Sequence, residues 1–187
     1  MAEAGIVLAG GASTRMGEDK AGLVFENATL LDRAIKLLSD FGADPVVVSG
    51  NRSDCEAVPD IEPGQGPLGG LYSVLSARPE LAGHWRIIIP VDMPMLDLAT
   101  LNRLANSARR QDRGAVFDRG PLPMVLPPGP APMKTAGQIL TGDGRKSLHR
   151  LAGQLGLMQV PSDPADRLDN INRPEEYRRL RDGRFTP

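Results

Sequence analysis

Thirteen residues near the start of the chain, Leu8–Lys20 (LAGGASTRMGEDK), collect groups suited to holding a polyanion. Gly10 and Gly11 have no side chain, so main-chain N–H groups there can approach phosphate oxygens closely. Ser13 and Thr14 add hydroxyl donors, Arg15 a bidentate fork and Lys20 a compact point charge. Together these groups suit a triphosphate. The plain alternative is a glycine-rich turn with solvated charges, and for Arg15 or Lys20 taken singly it is the stronger reading. Taken together after the apolar run GIVL, they favour phosphate binding.

Asp92 is the second chemical feature. It closes the run IIIPVD, and prolines at 90 and 94 fix the turn around it. A carboxylate buried there without a partner is costly, so a cation is its natural companion. Mg²⁺ held by one or two carboxylates plus substrate phosphates is the usual arrangement. The alternative is a turn or helix-capping aspartate, but Asp97 is better placed to cap the segment that follows. Asp60, in VPDIEPG, reads equally well as a turn residue or as an acceptor for a ligand's N–H groups.

Other chemistries fail on spacing. A Walker A loop needs Gly-x-x-x-x-Gly-Lys-Ser/Thr, whereas Gly11 and Gly17 are one residue too far apart and Glu18 follows. A Gly-x-Gly-x-x-Gly string occurs at Gly64, Gly66 and Gly69, but it follows Pro63, contains Pro67 and lacks a strong preceding strand. It reads instead as a loop opening a helix near Leu68, whose N-terminus could hold another phosphate. The single cysteine, Cys55, excludes an intrachain disulfide and a cysteine-based metal cluster. His84 and His149 read as surface residues, poorly placed for general-base work.

Short β-branched runs alternate with helix-period segments, the pattern of an α/β fold with a mainly parallel sheet. Strands are predicted at Gly5–Leu8, Pro45–Ser49, Trp85–Val91, Ala115–Phe117 and Leu157–Val160. Helices are predicted at Leu30–Phe41, Gly69–Ala77, Leu98–Arg110, Ser147–Leu155 and Pro174–Leu180. The first strand sends the 8–20 loop out at its carboxyl end, where open α/β sheets place ligands. Six prolines in Gly120–Pro132 suit an edge strand and a loop. Without a repeat or a linker, residues 1–187 read as one domain.

Composition removes several function classes. Lys plus Arg (22) nearly balance Asp plus Glu (23), so the broad basic field of a general nucleic-acid binder is missing. At 41% hydrophobic and 24% charged, the chain can bury a core. No apolar run approaches a membrane span, and MAEAGIVLAGG lacks the basic region of a signal peptide. The expectation is a cytoplasmic protein.

LAGGASTRMGEDKAGL resembles the signature loop of the MobA-like nucleotidyltransferases, the molybdenum cofactor guanylyltransferases. GPLGGL (Gly66–Leu71), PVDMP (Pro90–Pro94) and NINRPEE (Asn170–Glu176) are similar to further segments of that family in the same order. The resemblance implies a three-layer, Rossmann-like sheet with helices on both faces, of the nucleotide-diphospho-sugar transferase type. It implies transfer of GMP from GTP to the terminal phosphate of molybdopterin, releasing pyrophosphate. Lys20 and Arg15 would meet the phosphates and Asp92 would hold Mg²⁺. Main-chain groups of Leu8, Ala9 and Gly10, with Gly11, Ser13, Ser49 and Asp60, would complete the nucleotide site, Asp60 facing guanine. Gly66, Pro67, Leu68, Asn170 and Asn172 would face the acceptor. Transient contact with proteins that supply or receive the cofactor is also implied.

One departure stands out. The family often carries asparagine where this chain has Ser49, a shorter residue with a single hydroxyl. LAGG favours guanylyl over cytidylyl transfer, since CTP-using relatives usually carry LAAG. A cytidylyltransferase or sugar-phosphate nucleotidyltransferase is the nearer alternative, a non-catalytic nucleotide or pterin carrier the further one. Asn172 has a second reading, since with Pro174 and Glu175 it could open the last helix as a capping box. Arg145 and Lys146 read either as an acceptor-binding loop or as solvated charges.

Overall fold

The computed structural model describes residues 2–10, 20–164 and 166–181. Arg15, Gly11, Ser13 and Thr14 lie outside the described residues.

Nine strands and six helices run in the order β1 (Glu3–Leu8), β2 (Val24–Phe25), β3 (Ala28–Thr29), α1 (Leu30–Phe41), β4 (Val46–Ser49), β5 (Ala57–Val58), α2 (Gly66–Ala77), β6 (Trp85–Pro90), α3 (Leu98–Arg110), β7 (Ala115–Phe117), β8 (Met124–Leu126), α4 (Ala131–Thr141), α5 (Leu148–Gln154), β9 (Met158–Val160) and α6 (Pro174–Arg181), counted among the described residues. Seven strands form one sheet in the order β5-β4-β1-β6-β8-β7-β9. β1 pairs in parallel with β4 and β6 on either side, so their carboxyl ends emerge together. β8 is antiparallel to both its neighbours. β2 and β3 make a separate hairpin, closed by Glu26 and Asn27 at φ 49° and 67°.

The alternation of each strand divides the apolar residues between two cores. One lies between the sheet and α1, α3 and α6, and holds Val7, Ile87, Ile89, Leu38 and Leu101. The other lies beneath α2, α4 and α5, and holds Ala4, Ile6, Ile88, Leu71 and Ile139. The result is the three-layer α/β arrangement with a mainly parallel sheet.

Local signals place the helices. α1 opens on a capping box in which Thr29 and Asp32 satisfy each other's main-chain N–H, and it ends at Gly42 with φ 95°. α3 opens on Asp97, whose carboxylate accepts from Thr100 N at 2.9 Å, so the capping role does fall to Asp97 and not Asp92. Packing is tight where α1 crosses β1: a β-carbon on Gly5 would lie 2.9 Å from Leu38 Cδ1 and 3.3 Å from Ala43 Cβ. Gly5→Val should therefore destabilise the protein by about 1–3 kcal/mol through overpacking, measurable by urea unfolding.

The proline-rich stretch corrects the sequence expectation. β8 is not an edge strand; it lies between β6 and β7 with all three residues buried. Prolines 121, 123, 127 and 128 bracket the paired span, so Met124, Val125 and Leu126 keep every N–H the ladder needs. Beyond the strand, the buried Arg86 guanidinium donates to Pro127 O and to Gly129 O, and burial lowers its pKa to about 10. Pro132 then sits in the first turn of α4, where no N–H is required, and that helix was not foreseen.

Candidate active site

Residues at the carboxyl ends of β1, β4, β5 and β6 form two clusters. The first centres on Lys20, in a 3₁₀ turn over Lys20–Gly22. Its ammonium donates to Asp92 Oδ2 at 3.0 Å, to Ile171 O at 2.8 Å and to Asn172 Oδ1 at 3.1 Å. Ile171 N donates in turn to Asp92 O at 2.8 Å, and the Ile171 side chain is fully buried. The segment before the last helix is thereby fastened across the end of β6.

Asn172 takes part through its side chain and does not cap α6. Glu176, rather than Glu175, reaches back to accept from Asn172 N at 2.6 Å and Arg173 N at 3.0 Å. This is the carboxylate half of a capping box, moved one residue on from the expected position. Asn170 is exposed two residues earlier on the same segment.

The second cluster surrounds Asp60. A β-carbon on Gly10 would lie 3.3 Å from Asp60 Oδ2 and 3.7 Å from Ser49 Oγ, and one on Gly70 would lie 2.9 Å from Ser49 Oγ. Two glycines thus leave open the space around the two oxygens. Asp60 Oδ1 and Ser49 Oγ are buried and neither has a hydrogen-bond partner. Burial pushes the Asp60 carboxyl above the ordinary aspartate range. Buried polar atoms are ordinarily paired, so two orphans side by side mark a place for a ligand's donors. Leu8 O accepts from Val91 N at 3.1 Å, joining this cluster to the one at Asp92. Ser49 ends β4 and Asp60 follows β5, whereas Asp92 follows β6 on the other side of β1.

The acceptor candidates Gly66, Pro67 and Leu68 form the first turn of α2, which starts three residues earlier than periodicity suggested. No side chain caps that turn, and Leu68 is buried in the core. Arg145, Lys146 and His149 are exposed and His84 is half-buried, none of them hydrogen-bonded to either cluster. Among the described residues, no group of three or more His, Cys, Asp or Glu could hold a metal alone. The oxygen donors at Asp92 instead fit a hard divalent ion that draws its other ligands from phosphates and water.

A family model, the MobA-like NTP transferase domain, matches residues 5–160. The chain belongs to that family. A molybdenum cofactor guanylyltransferase of Xanthomonas euvesicatoria pv. vesicatoria is 37% identical, with 94% of this chain and 93% of the relative covered. A probable molybdenum cofactor guanylyltransferase of Opitutus terrae is 33% identical over 95% and 94% of the two chains. Among solved structures, molybdopterin-guanine dinucleotide biosynthesis protein A of Archaeoglobus fulgidus superposes with TM-score 0.74 at 18% identity, covering 95% of this chain and 96% of that one. The 2-C-methyl-D-erythritol 4-phosphate cytidylyltransferase of Thermus thermophilus does so with TM-score 0.67 at 17% identity, covering 98% and 99%. The fold is therefore shared with a cytidylyltransferase, so it does not by itself fix the choice of base. Members of this family generally use a divalent metal.

Gly70, Ile171 and Glu176 fall inside the segments that carried the family resemblance, but the space Gly70 leaves and the bonds of Ile171 and Glu176 come from the structure. Glu176 was discoverable, since it stands three residues after Arg173. Ser73 lies outside those segments and was missed.

Proposed function

We propose that this MobA-like nucleotidyltransferase moves GMP from GTP to molybdopterin, releasing pyrophosphate and forming the guanine dinucleotide cofactor. Full-length similarity to two proteins named as molybdenum cofactor guanylyltransferases supports the reaction. The observation that carries the choice of base is the orphaned pair, Asp60 Oδ1 and Ser49 Oγ. Guanine presents N1–H and an exocyclic amine side by side, and a carboxylate accepts from both. Cytosine has no N–H beside its amine.

The terminal phosphate of molybdopterin attacks the α-phosphorus of GTP, and the bond to the pyrophosphate oxygen breaks. A phosphate is already a nucleophile, so catalysis is positioning and charge neutralisation. Lys20 turns from its present partners toward the nucleotide phosphates, with Arg15, Gly11 and Ser13 of the same loop. Main-chain groups of Leu8, Ala9 and Gly10 line the base. Asp92 would hold Mg²⁺, which when bound would neutralise charge on the phosphates. Asn172 and Asn170, with the uncapped first turn at Gly66–Leu68, face the acceptor.

Residues 1–187 act as one domain in this reading, with both cores built on one sheet. No helix among the described residues is long and apolar enough to cross a membrane. The enzyme works in the cytoplasm, where GTP is held, and meets the proteins that supply and receive the cofactor only transiently.

The test is pyrophosphate release with molybdopterin and each NTP, with and without Mg²⁺. GTP with Mg²⁺ should give turnover and CTP at least 10²-fold less, the scale expected when a site's hydrogen-bonding groups are left unpaired. Turnover of CTP with GTP ignored would overturn the base assignment. Silence with every NTP would leave a carrier.

A further inference from the structure

Asp60 has no protein hydrogen bond at Oδ1, so its main chain must hold it in register. On the upstream side β5 does this, with Gly50 N donating to Val58 O and Val48 N to Glu56 O, each at 2.8 Å. On the downstream side packing offers little. Ile61 is 59% exposed and, with Glu62, Gln65 and Tyr72, borders an open cavity of about 200 Å³ between α2 and α4. The tie is a hydrogen bond from Ile61 N to Ser73 Oγ at 2.9 Å. Ser73 is 1% exposed, and its hydroxyl donates to Gly69 O at 2.9 Å, which directs its acceptor lone pairs at Ile61. A further bond in this stretch, Gln65 Nε2 to Glu62 Oε2 at 3.0 Å, is local and anchors nothing outside it.

We infer that Ser73 is a positioning residue for base selection, holding Asp60 against α2 so that its carboxylate meets both donors of guanine. This rests on Asp60 reading the base. Ser73 touches no substrate and acts through the Asp60–Ile61 peptide. Without its hydroxyl the carboxylate swings, and a grip on two adjacent N–H groups loosens toward a grip on one.

The experiment compares GTP with ITP, which lacks the exocyclic amine, in wild type, Ser73→Ala, Ser73→Cys and Asp60→Asn. The readout is the ratio of kcat/KM values, GTP over ITP, which is independent of the fraction of folded enzyme. Ser73→Ala should lower that ratio about tenfold, the scale of one hydrogen bond, through KM for GTP with kcat changed less than about threefold. Ser73→Cys, whose thiol accepts weakly, should fall between, and it carries the test should the alanine variant not fold. A wild-type ratio in the Ser73 variants, with the ratio collapsed in Asp60→Asn, overturns the role of Ser73 alone. A wild-type ratio in Asp60→Asn overturns the reading of Asp60 and the inference with it.

Discussion

Asp92→Asn is expected to reduce kcat for pyrophosphate release by about 10³-fold or more, the scale of removing a group that stabilises transition-state charge. The amide retains an oxygen for Lys20 Nζ, now 3.0 Å from Oδ2, and the main-chain bond from Ile171 N to Asp92 O is untouched. The Lys20–Asp92 pair is only about one-fifth exposed on each side, so removing the carboxylate's charge should also lower folding stability, which thermal melting reads. Thermal melting beside turnover therefore separates chemistry from folding. Turnover within threefold of wild type would refute the metal role of Asp92. Raising Mg²⁺ should recover part of the loss, because the phosphates still offer ligands.

The second large effect concerns Asp60. Asp60→Asn should lower kcat/KM for GTP by about 10²-fold, since hydrogen bonds to a charged partner contribute about 1.5–3 kcal/mol. One acceptor of the pair becomes an N–H₂ donor aimed at the donors of guanine. The same change should raise stability at neutral pH. Burial raises the folded-state pKa of Asp60, so its contribution to stability is present in acid and is lost as pH rises through that raised value. The melting-temperature gain of Asp60→Asn over wild type should thus grow from acid toward neutral pH. GTP binding runs the other way: it needs the ionised carboxylate and weakens on acidification from above the ordinary aspartate range. Calorimetric titration of GTP across pH measures this, and an acid limb identical in Asp60→Asn and wild type would assign it elsewhere.

Glycine serves these sites in a particular way. At Gly10 and Gly70 what matters is space: a β-carbon would crowd the Asp60 and Ser49 oxygens that the proposed function assigns to the base. Replacement there would change binding more than folding, in contrast to Gly5, where the crowding is against Leu38 and Ala43. The same residue type thus leaves room beside polar oxygens in one place and beside a packed core in the other.

Legibility followed the range of the interactions. The limits of α1, α3 and β7 could be read residue by residue because caps and apolar period act within a few positions. β8 was misplaced because prolines were weighed over the whole stretch, while pairing excludes them only at the three residues in the ladder. On its residues alone Asp60 stood between turn and acceptor, and the family resemblance favoured the acceptor. Its orphaned oxygen beside Ser49 appears only once β4, the loop after β5 and α2 are packed together.

By itself the sequence determined the alternation of strands and helices and the residue types suited to phosphate and a hard cation. These follow from rules of spacing, capping and charge that operate along the chain. Only the tertiary structure decided that Lys20 meets Asp92, 72 residues away, and Asn172, 152 residues away, and that Ser73 steadies the segment after Asp60. The reason is physical: such contacts depend on strand order and on which face of the sheet each helix covers, and no local pattern of residues encodes either.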